Sequence, residues 1–217
     1  MRNGRRSGFL VGAGALAAML VLCACDTPAP IVQPRPFALS RAHVDEASPG
    51  YDAKRDRFLP WAEDMSELIV VDKVARELVL YRNGRAVLSY RVVLGRNPGR
   101  KRFEGDRRTP SGLYQITDKR PSEKYHWFME ISYPNDEDRE RYQAALSKGL
   151  IAASFGQLDP PSLGGRVGIH GTDKEDFNKL GIDWTFGCIS LANRDVEELY
   201  EEVSEGTPVL IRDDQQP

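Results

Sequence analysis

Cysteine, histidine and net charge are what this chain of 217 residues has little of. Lys and Arg nearly balance Asp and Glu, leaving a formal charge of −2. Without a basic field there is nothing to hold a nucleic acid, and none is expected as a partner. Three histidines, His43, His126 and His170, are scattered and form no metal-ligand cluster. His43 and His126 read as surface or packing residues. Of three cysteines, Cys23 and Cys25 fall in the first 25 residues, so Cys188 is the single thiol of the remainder and has no disulfide partner there. Internal repeats are absent, and the one long uncharged apolar run, Phe9 to Leu22, lies near the start. Hydrophobic residues make up 41% and charged residues 29%, the balance of a globular domain able to bury a core.

The start of the chain is set apart. Arg2, Arg5 and Arg6 precede the apolar run, which is short for a transmembrane helix and suits the core of a signal peptide, with an uncleaved anchor as the other reading. The run ends in Leu22-Cys23-Ala24-Cys25, which resembles a bacterial lipobox. That resemblance implies a lipid on Cys25, export to the periplasm or cell envelope, and attachment to a membrane through the lipid. Asp26 resembles the inner-membrane retention signal of enterobacterial lipoproteins. In an oxidising compartment the unpaired Cys188 reads as a free reactive thiol or an intermolecular partner, with a buried structural thiol as the plainer alternative.

Residues 26–66, with Pro28, Pro30, Pro34 and Pro36, read as a linker and charged lead-in. The pattern changes at Glu67. Leu68 to Val71 and Glu77 to Tyr81 are short strands, Asn83-Gly84 marks a two-residue hairpin, and Leu88, Tyr90, Val92 and Leu94 share one face at period two. Gly95 to Gly112 is a long polar loop. Strands are expected again at Leu113–Thr117, Trp127–Tyr133, Arg166–His170, Cys188–Leu191 and Thr207–Ile211. Helices are expected over Asn135–Lys148, stopped by Gly149, and after Asn193 as cap, with Val196, Leu199, Tyr200 and Val203 as the apolar face. Eight short strands and two helices make a mainly β sandwich or barrel over 67–213, with 214–217 as a tail.

The chemistry concentrates in Ile169-His170-Gly171 and Thr185-Phe186-Gly187-Cys188-Ile189-Ser190-Leu191. The histidine ends one expected strand and the cysteine begins another. An imidazole beside a thiol can take its proton during attack and return it to a leaving amine. Gly187 lets a substrate approach the backbone, and the N–H of Cys188, with that of Gly187, could meet a developing oxyanion. A cysteine and a histidine 18 residues apart are weak on their own.

With their surroundings they resemble the L,D-transpeptidase catalytic domain, the YkuD-like family of cell-wall enzymes. His170-Gly171, Thr185-Phe186-Gly187-Cys188 and Ile189 match its core motif, Asn193 and Asp195 fit downstream, and Val71-Asp72-Lys73, Leu94-Gly95, Gly105-Asp106 and Arg108-Thr109-Pro110-Ser111-Gly112 fit upstream. The resemblance covers about Glu67 to Arg212. It implies the family's β-rich sandwich or barrel with a few short helices, and no metal or other cofactor. Cys188 would be acylated by a peptidoglycan stem tetrapeptide with loss of terminal D-Ala, with His170 as proton donor and acceptor and the Gly171 carbonyl orienting it. The acyl group passes to a stem amine, to a wall-attached lipoprotein or to water. Thr185, Phe186, Trp184, Tyr133 and Ser190 are substrate-binding candidates. This chain departs from many members at Ser190, where they carry Arg, and from some at Phe186, where they carry His. The segment from Ile131 into the acidic helix looks like an insertion that could form a lid, bringing Tyr125, Trp127 or Tyr133 to substrate, although Trp127 reads first as core. Thr109 and Ser111 read as turn residues. An L,D-carboxypeptidase or lipoprotein-releasing hydrolase, and a non-catalytic wall-binding module, stay open as alternatives.

Overall fold

The computed structural model describes residues 65–153 and 159–213; the leader with Cys23, Cys25 and Asp26, the linker with His43 and the C-terminal tail lie outside them. Eight strands form one sheet in the order β3-β2-β1-β8-β4-β5-β6-β7. β1 (Glu67–Asp72) carries an unbroken apolar run because it is central: β2 (Glu77–Arg82) pairs antiparallel on one side and β8 (Pro208–Arg212) parallel on the other, and every residue after Glu67 is buried. β2 turns into β3 (Arg85–Arg91) through Asn83 and Gly84, whose φ angles of 50° and 72° make the expected hairpin turn.

β4 (Gly112–Ser122) changes partner along its length. Gly112 to Gln115 pair with β8, and from Ile116 the strand bulges and pairs with β5 (His126–Ile131). β5 pairs antiparallel with β6 (Gly168–His170), which pairs parallel with the two-residue β7 (Ile189–Ser190). The chain leaving β3 then returns to β7: Val93 and Ser190 exchange both backbone hydrogen bonds, at 3.0 and 2.9 Å. The two edges of the sheet thus meet and the layer closes, with Leu88, Tyr90, Val92 and Leu94 all buried inside as their alternation predicts.

Three helices are present among the described residues. α1 (Asp136–Ser147) begins with a capping box in which the Asn135 side chain accepts from the Asp138 N–H and the Asp138 carboxylate accepts from the Asn135 N–H. α2 (Glu175–Leu180) was not expected from the pattern: it is six residues long and leaves Phe177 and Leu180 exposed, so it has no buried stripe to read. α3 (Asn193–Glu202) buries Val196 and Leu199 against the sheet. Its cap is Ala192, not Asn193, because the Asn193 side chain is used elsewhere: its Oδ1 accepts from the Thr172 N–H at 2.7 Å. Among the described residues no helix is long and apolar enough to cross a membrane.

The long loop between β3 and β4 is held by buried charges. The Lys73 ammonium donates to the carbonyls of Gly99 and Thr109, to Ser111 Oγ and to the Asp213 carboxylate, all at 2.9–3.0 Å. The Asp106 carboxylate accepts from the backbone N–H groups of Arg102, Phe103 and Arg108 and from Lys101 Nζ. Thr109 receives the Gly95 N–H on its Oγ1. The start of the loop is tied to the segment that carries Cys188 by two backbone bonds, in which the Thr185 N–H donates to the Leu94 carbonyl and the Arg96 N–H donates to the Thr185 carbonyl.

Candidate active site

The register of β6 and β7 places the two candidate side chains. Ile169 lies opposite Ile189 and His170 opposite Ser190. Cys188 is therefore level with Gly168 and projects to the same face as His170, one pleat along on the neighbouring strand. The cysteine is half-buried and the histidine is 2% exposed.

His170 Nδ1 lies 2.5 Å from the carbonyl oxygen of Gly171. A carbonyl only accepts, so Nδ1 carries the hydrogen and the lone pair of the neutral ring is on Nε2. The rings of Tyr125, Phe128 and Trp184 surround the imidazole, with centroids 4.3, 5.8 and 6.0 Å away. Burial among them lowers its pKa to about 4, against smaller raising effects of the Gly171 hydrogen bond and Asp173. Burial also pushes the Cys188 thiol above its ordinary range; a hydrogen bond from the Gly168 backbone and the Lys101 ammonium pull it back only in part. At rest the pair is a neutral thiol and a neutral imidazole.

Gly171 is held from two sides. Its carbonyl also accepts from Ser190 Oγ at 3.1 Å. Ser190 in turn accepts from Asn178 Nδ2 at 3.0 Å, and Asn178 accepts from Trp184 Nε1 at 2.8 Å and donates to the Leu191 carbonyl at 2.8 Å. A Cβ on Gly171 would meet Asn193 Oδ1 at 2.5 Å and the Tyr125 carbonyl at 2.6 Å, so no larger residue fits. The approach to Cys188 is equally specific. Gly187 has φ +136°, and a Cβ there would lie 2.7 Å from the Arg108 carbonyl and 3.7 Å from Lys101 Nζ. Thr185 Oγ1 spans this turn, donating to the Cys188 carbonyl at 2.7 Å and accepting the Gly187 N–H at 3.1 Å.

A family model described as the L,D-transpeptidase catalytic domain, YkuD, matches residues 66–211. The chain belongs to this family. YqjB of Bacillus subtilis (strain 168), which carries the L,D-transpeptidase name, is 26% identical over 147 residues, 67% of this chain and 71% of that protein. Among solved structures, the helical cell shape determining protein Pgp2 of Campylobacter jejuni superposes with a TM-score of 0.51 at 22% identity. The match covers 70% of this chain and 49% of that one, so this chain spans about half of Pgp2, and the likeness is one of fold. The catalytic domain of the Enterococcus faecium L,D-transpeptidase matches at 19% identity and a TM-score of 0.43, covering 69% of this chain and 99% of that domain.

Within this L,D-transpeptidase domain several expected roles change. Ser190, a substrate-binding candidate, is fully buried, and its hydroxyl faces Gly171 and Asn178, so it supports His170 from behind instead of meeting a ligand. Tyr133 is a core residue, 5% exposed, whose hydroxyl donates to the Leu163 carbonyl. Trp184 is 4% exposed and packs beside His170, and Thr185 is buried as the brace of the turn. Phe186 alone of these candidates is open, 65% exposed. Gly187 donates its N–H to Thr185 and so has none to offer an oxyanion, leaving that of Cys188 as the candidate donor. The insertion is no lid carrying Trp127 and Tyr133: Trp127 stacks on Tyr200 at 4.2 Å, and α1 is pinned to β4 by Asp138, which accepts from Tyr114 Oη at 2.9 Å. Tyr142 of α1 instead donates to the Pro161 carbonyl, and Ser162 donates to Glu104, so the helix buttresses the segment leading to Arg166. The Arg166 carbonyl lies 3.9 Å from Cys188 Sγ and forms the near wall of the site. His126 is half-exposed, 3.8 Å from Glu197. Thr109 and Ser111 are buried loop anchors. Among the described residues no group of three His, Cys, Asp or Glu side chains is arranged to hold a metal ion.

Asn178, Lys101 and Arg166 had drawn no notice in the sequence. The matches of Leu94-Gly95, Gly105-Asp106 and Arg108-Thr109-Pro110-Ser111-Gly112 to the family's upstream half point toward the loop that carries Lys101.

Proposed function

We propose that the chain is a peptidoglycan L,D-transpeptidase acting through a Cys188 acyl-enzyme on stem tetrapeptides. The observation that carries this reading is the parallel register of β6 and β7, which sets Cys188 and His170 on one face with Nδ1 of the imidazole committed to Gly171. Nε2 is then the base. As Cys188 Sγ bonds to the carbonyl carbon of the third stem residue, its proton passes to Nε2 and the carbonyl electrons move to oxygen, where the Cys188 N–H can donate. Collapse expels the amine of terminal D-Ala, which leaves with the proton from Nε2. A second amine attacks the thioester, gives its proton to Nε2, and the thiol is restored as the new amide forms. Water in place of that amine makes the chain a carboxypeptidase or a hydrolase releasing a lipoprotein. The half-buried thiol between the 96–108 loop and the Arg166 segment favours an ordered acceptor over bulk water.

Purified protein incubated with tetrapeptide muropeptides should yield cross-linked dimers and free D-Ala by mass spectrometry, and a thioester adduct on Cys188. Cys188→Ala should abolish both. Tripeptides without dimers would make water the acceptor; no adduct on the wild-type thiol would sink the mechanism. The same proposal places the site in the cell envelope, tethered through Cys25, which membrane fractionation of Cys25→Ser reads.

A further inference from the structure

Although the whole chain is slightly acidic, residues 96–108 hold six basic and two acidic side chains. Both acids are engaged: Asp106 binds Lys101 and three backbone N–H groups, and Glu104 accepts from Ser162. Arg96 and Arg107 are exposed, and neither meets a carboxylate among the described residues. Their guanidinium carbons lie 6.0 and 5.5 Å from the centre of the same ring, that of Phe186, which is itself open to solvent two residues before Cys188. The backbone under them is fixed. The Arg96 N–H donates to the Thr185 carbonyl at 3.2 Å, and the Arg107 carbonyl accepts from the Asn97 N–H at 3.0 Å.

Two guanidiniums beside one exposed aromatic ring, with no carboxylate partner among the described residues and anchored to the nucleophile's own turn, have a defined chemical use. A guanidinium presents paired N–H donors matched to a carboxylate, and contact with the ring limits the freedom lost when that pair forms. We infer that Arg96, Arg107 and Phe186 form a carboxylate-binding subsite that seats an acidic peptide against Cys188. The inference rests on the proposed transpeptidase reading for the identity of the peptide, and the geometry fixes only its charge and its place.

The test separates the two. A fluorescently labelled tetrapeptide stem, and the same peptide with its carboxylates converted to carboxamides, are titrated onto the full chain carrying Cys188→Ala. The acidic peptide should bind at least about tenfold tighter than the carboxamide peptide, with an advantage that shrinks at high salt. Arg96→Gln with Arg107→Gln should remove that advantage without moving the melting temperature, because both side chains are exposed; Arg96→Lys with Arg107→Lys should retain part of it. Equal affinities for the two peptides, or an advantage that survives the glutamine pair, overturns the subsite. Turnover by the native protein is read in parallel. Arginine-dependent binding without any acyl-enzyme would leave the subsite standing and remove the transpeptidase reading. Turnover whose KM ignores both arginines would do the reverse.

Discussion

His170 stores a pH-dependent part of the stability of this domain, and its size follows from burial. Ordinary imidazole titrates near 6.5. Here the ring is 2% exposed among Tyr125, Phe128 and Trp184, and its pKa falls to about 4 because burial penalises the charged form. Above about pH 6.5 the ring is neutral in both folded and unfolded chains, and titration costs nothing. Between about 6.5 and 4 the unfolded chain takes up a proton that the folded chain refuses, so acid favours unfolding by roughly 1.4 kcal/mol per pH unit. The full loss is roughly 3 kcal/mol and levels off below pH 4, a large share of the 5–15 kcal/mol that holds a typical domain together. Urea unfolding of wild type and His170→Gln at pH 7, 6, 5 and 4 isolates this contribution, since carboxylates common to both subtract out. The wild type should lose roughly 3 kcal/mol relative to the variant between pH 7 and 4. Its C2-proton resonance should show no titration step near pH 6.5. Parallel curves for the two proteins, or a step near 6.5, would refute the assignment of a desolvated neutral imidazole.

Two other perturbations read the surroundings of the pair. Alkylation of Cys188 by iodoacetamide should rise with pH without a plateau at pH 6–8, and Lys101→Met should move the curve higher while Lys101→Arg holds it; a plateau near neutrality contradicts the raised thiol, and no movement with Met contradicts the placement of Lys101 beside Gly187. Asn178→Ala should cost about 2–4 kcal/mol in urea unfolding, because it orphans Trp184 Nε1 and the Leu191 carbonyl together, and Asn178→Asp should fare no better, having no donor for Leu191; a cost under about 1 kcal/mol for either would show that the network does not carry load.

Much of the architecture was legible because it rests on local rules. The apolar run of β1 announces a strand covered on both faces, Asn83-Gly84 announces the hairpin, and the alternation from Leu88 to Leu94 announces the inward face that the structure buries. The motif also drew attention to Cys188 and His170, which the β6–β7 pairing brings onto neighbouring strands. What stayed hidden depends on neighbours distant in sequence. The burial of Ser190 follows from its place opposite His170 in the β6–β7 pair and against Asn178, which no periodicity in a two-residue strand can display. Asn178 lies on a helix too short to show a face, and its partners lie up to 13 residues away on two other segments. Asn193 precedes an apolar stripe and so imitates a cap; its real partner, Thr172, comes from a loop the helix meets only in the folded chain.

The same long-range contacts constrain the chemistry. Burial lowers the imidazole and raises the thiol, so both shifts oppose an ion pair at rest. With the imidazole lowered to about 4 and the thiol raised by burial, moving the proton before substrate arrives is uphill at both ends, offset only by the attraction between the two charges so formed. Under the proposed mechanism, proton transfer is then coupled to attack on the carbonyl, as the negative charge leaves sulphur for oxygen and comes within reach of the Cys188 N–H. The hydrogen bonds through Ser190 and Asn178 matter at that moment: they hold the Gly171 carbonyl against Nδ1–H as the ring becomes cationic, and the Lys101 ammonium beside Gly187 opposes the cost of the thiolate. Under the proposed mechanism, a site arranged in this way keeps an idle thiol unreactive and gives its reactivity to a substrate that can seat a carbonyl above Cys188.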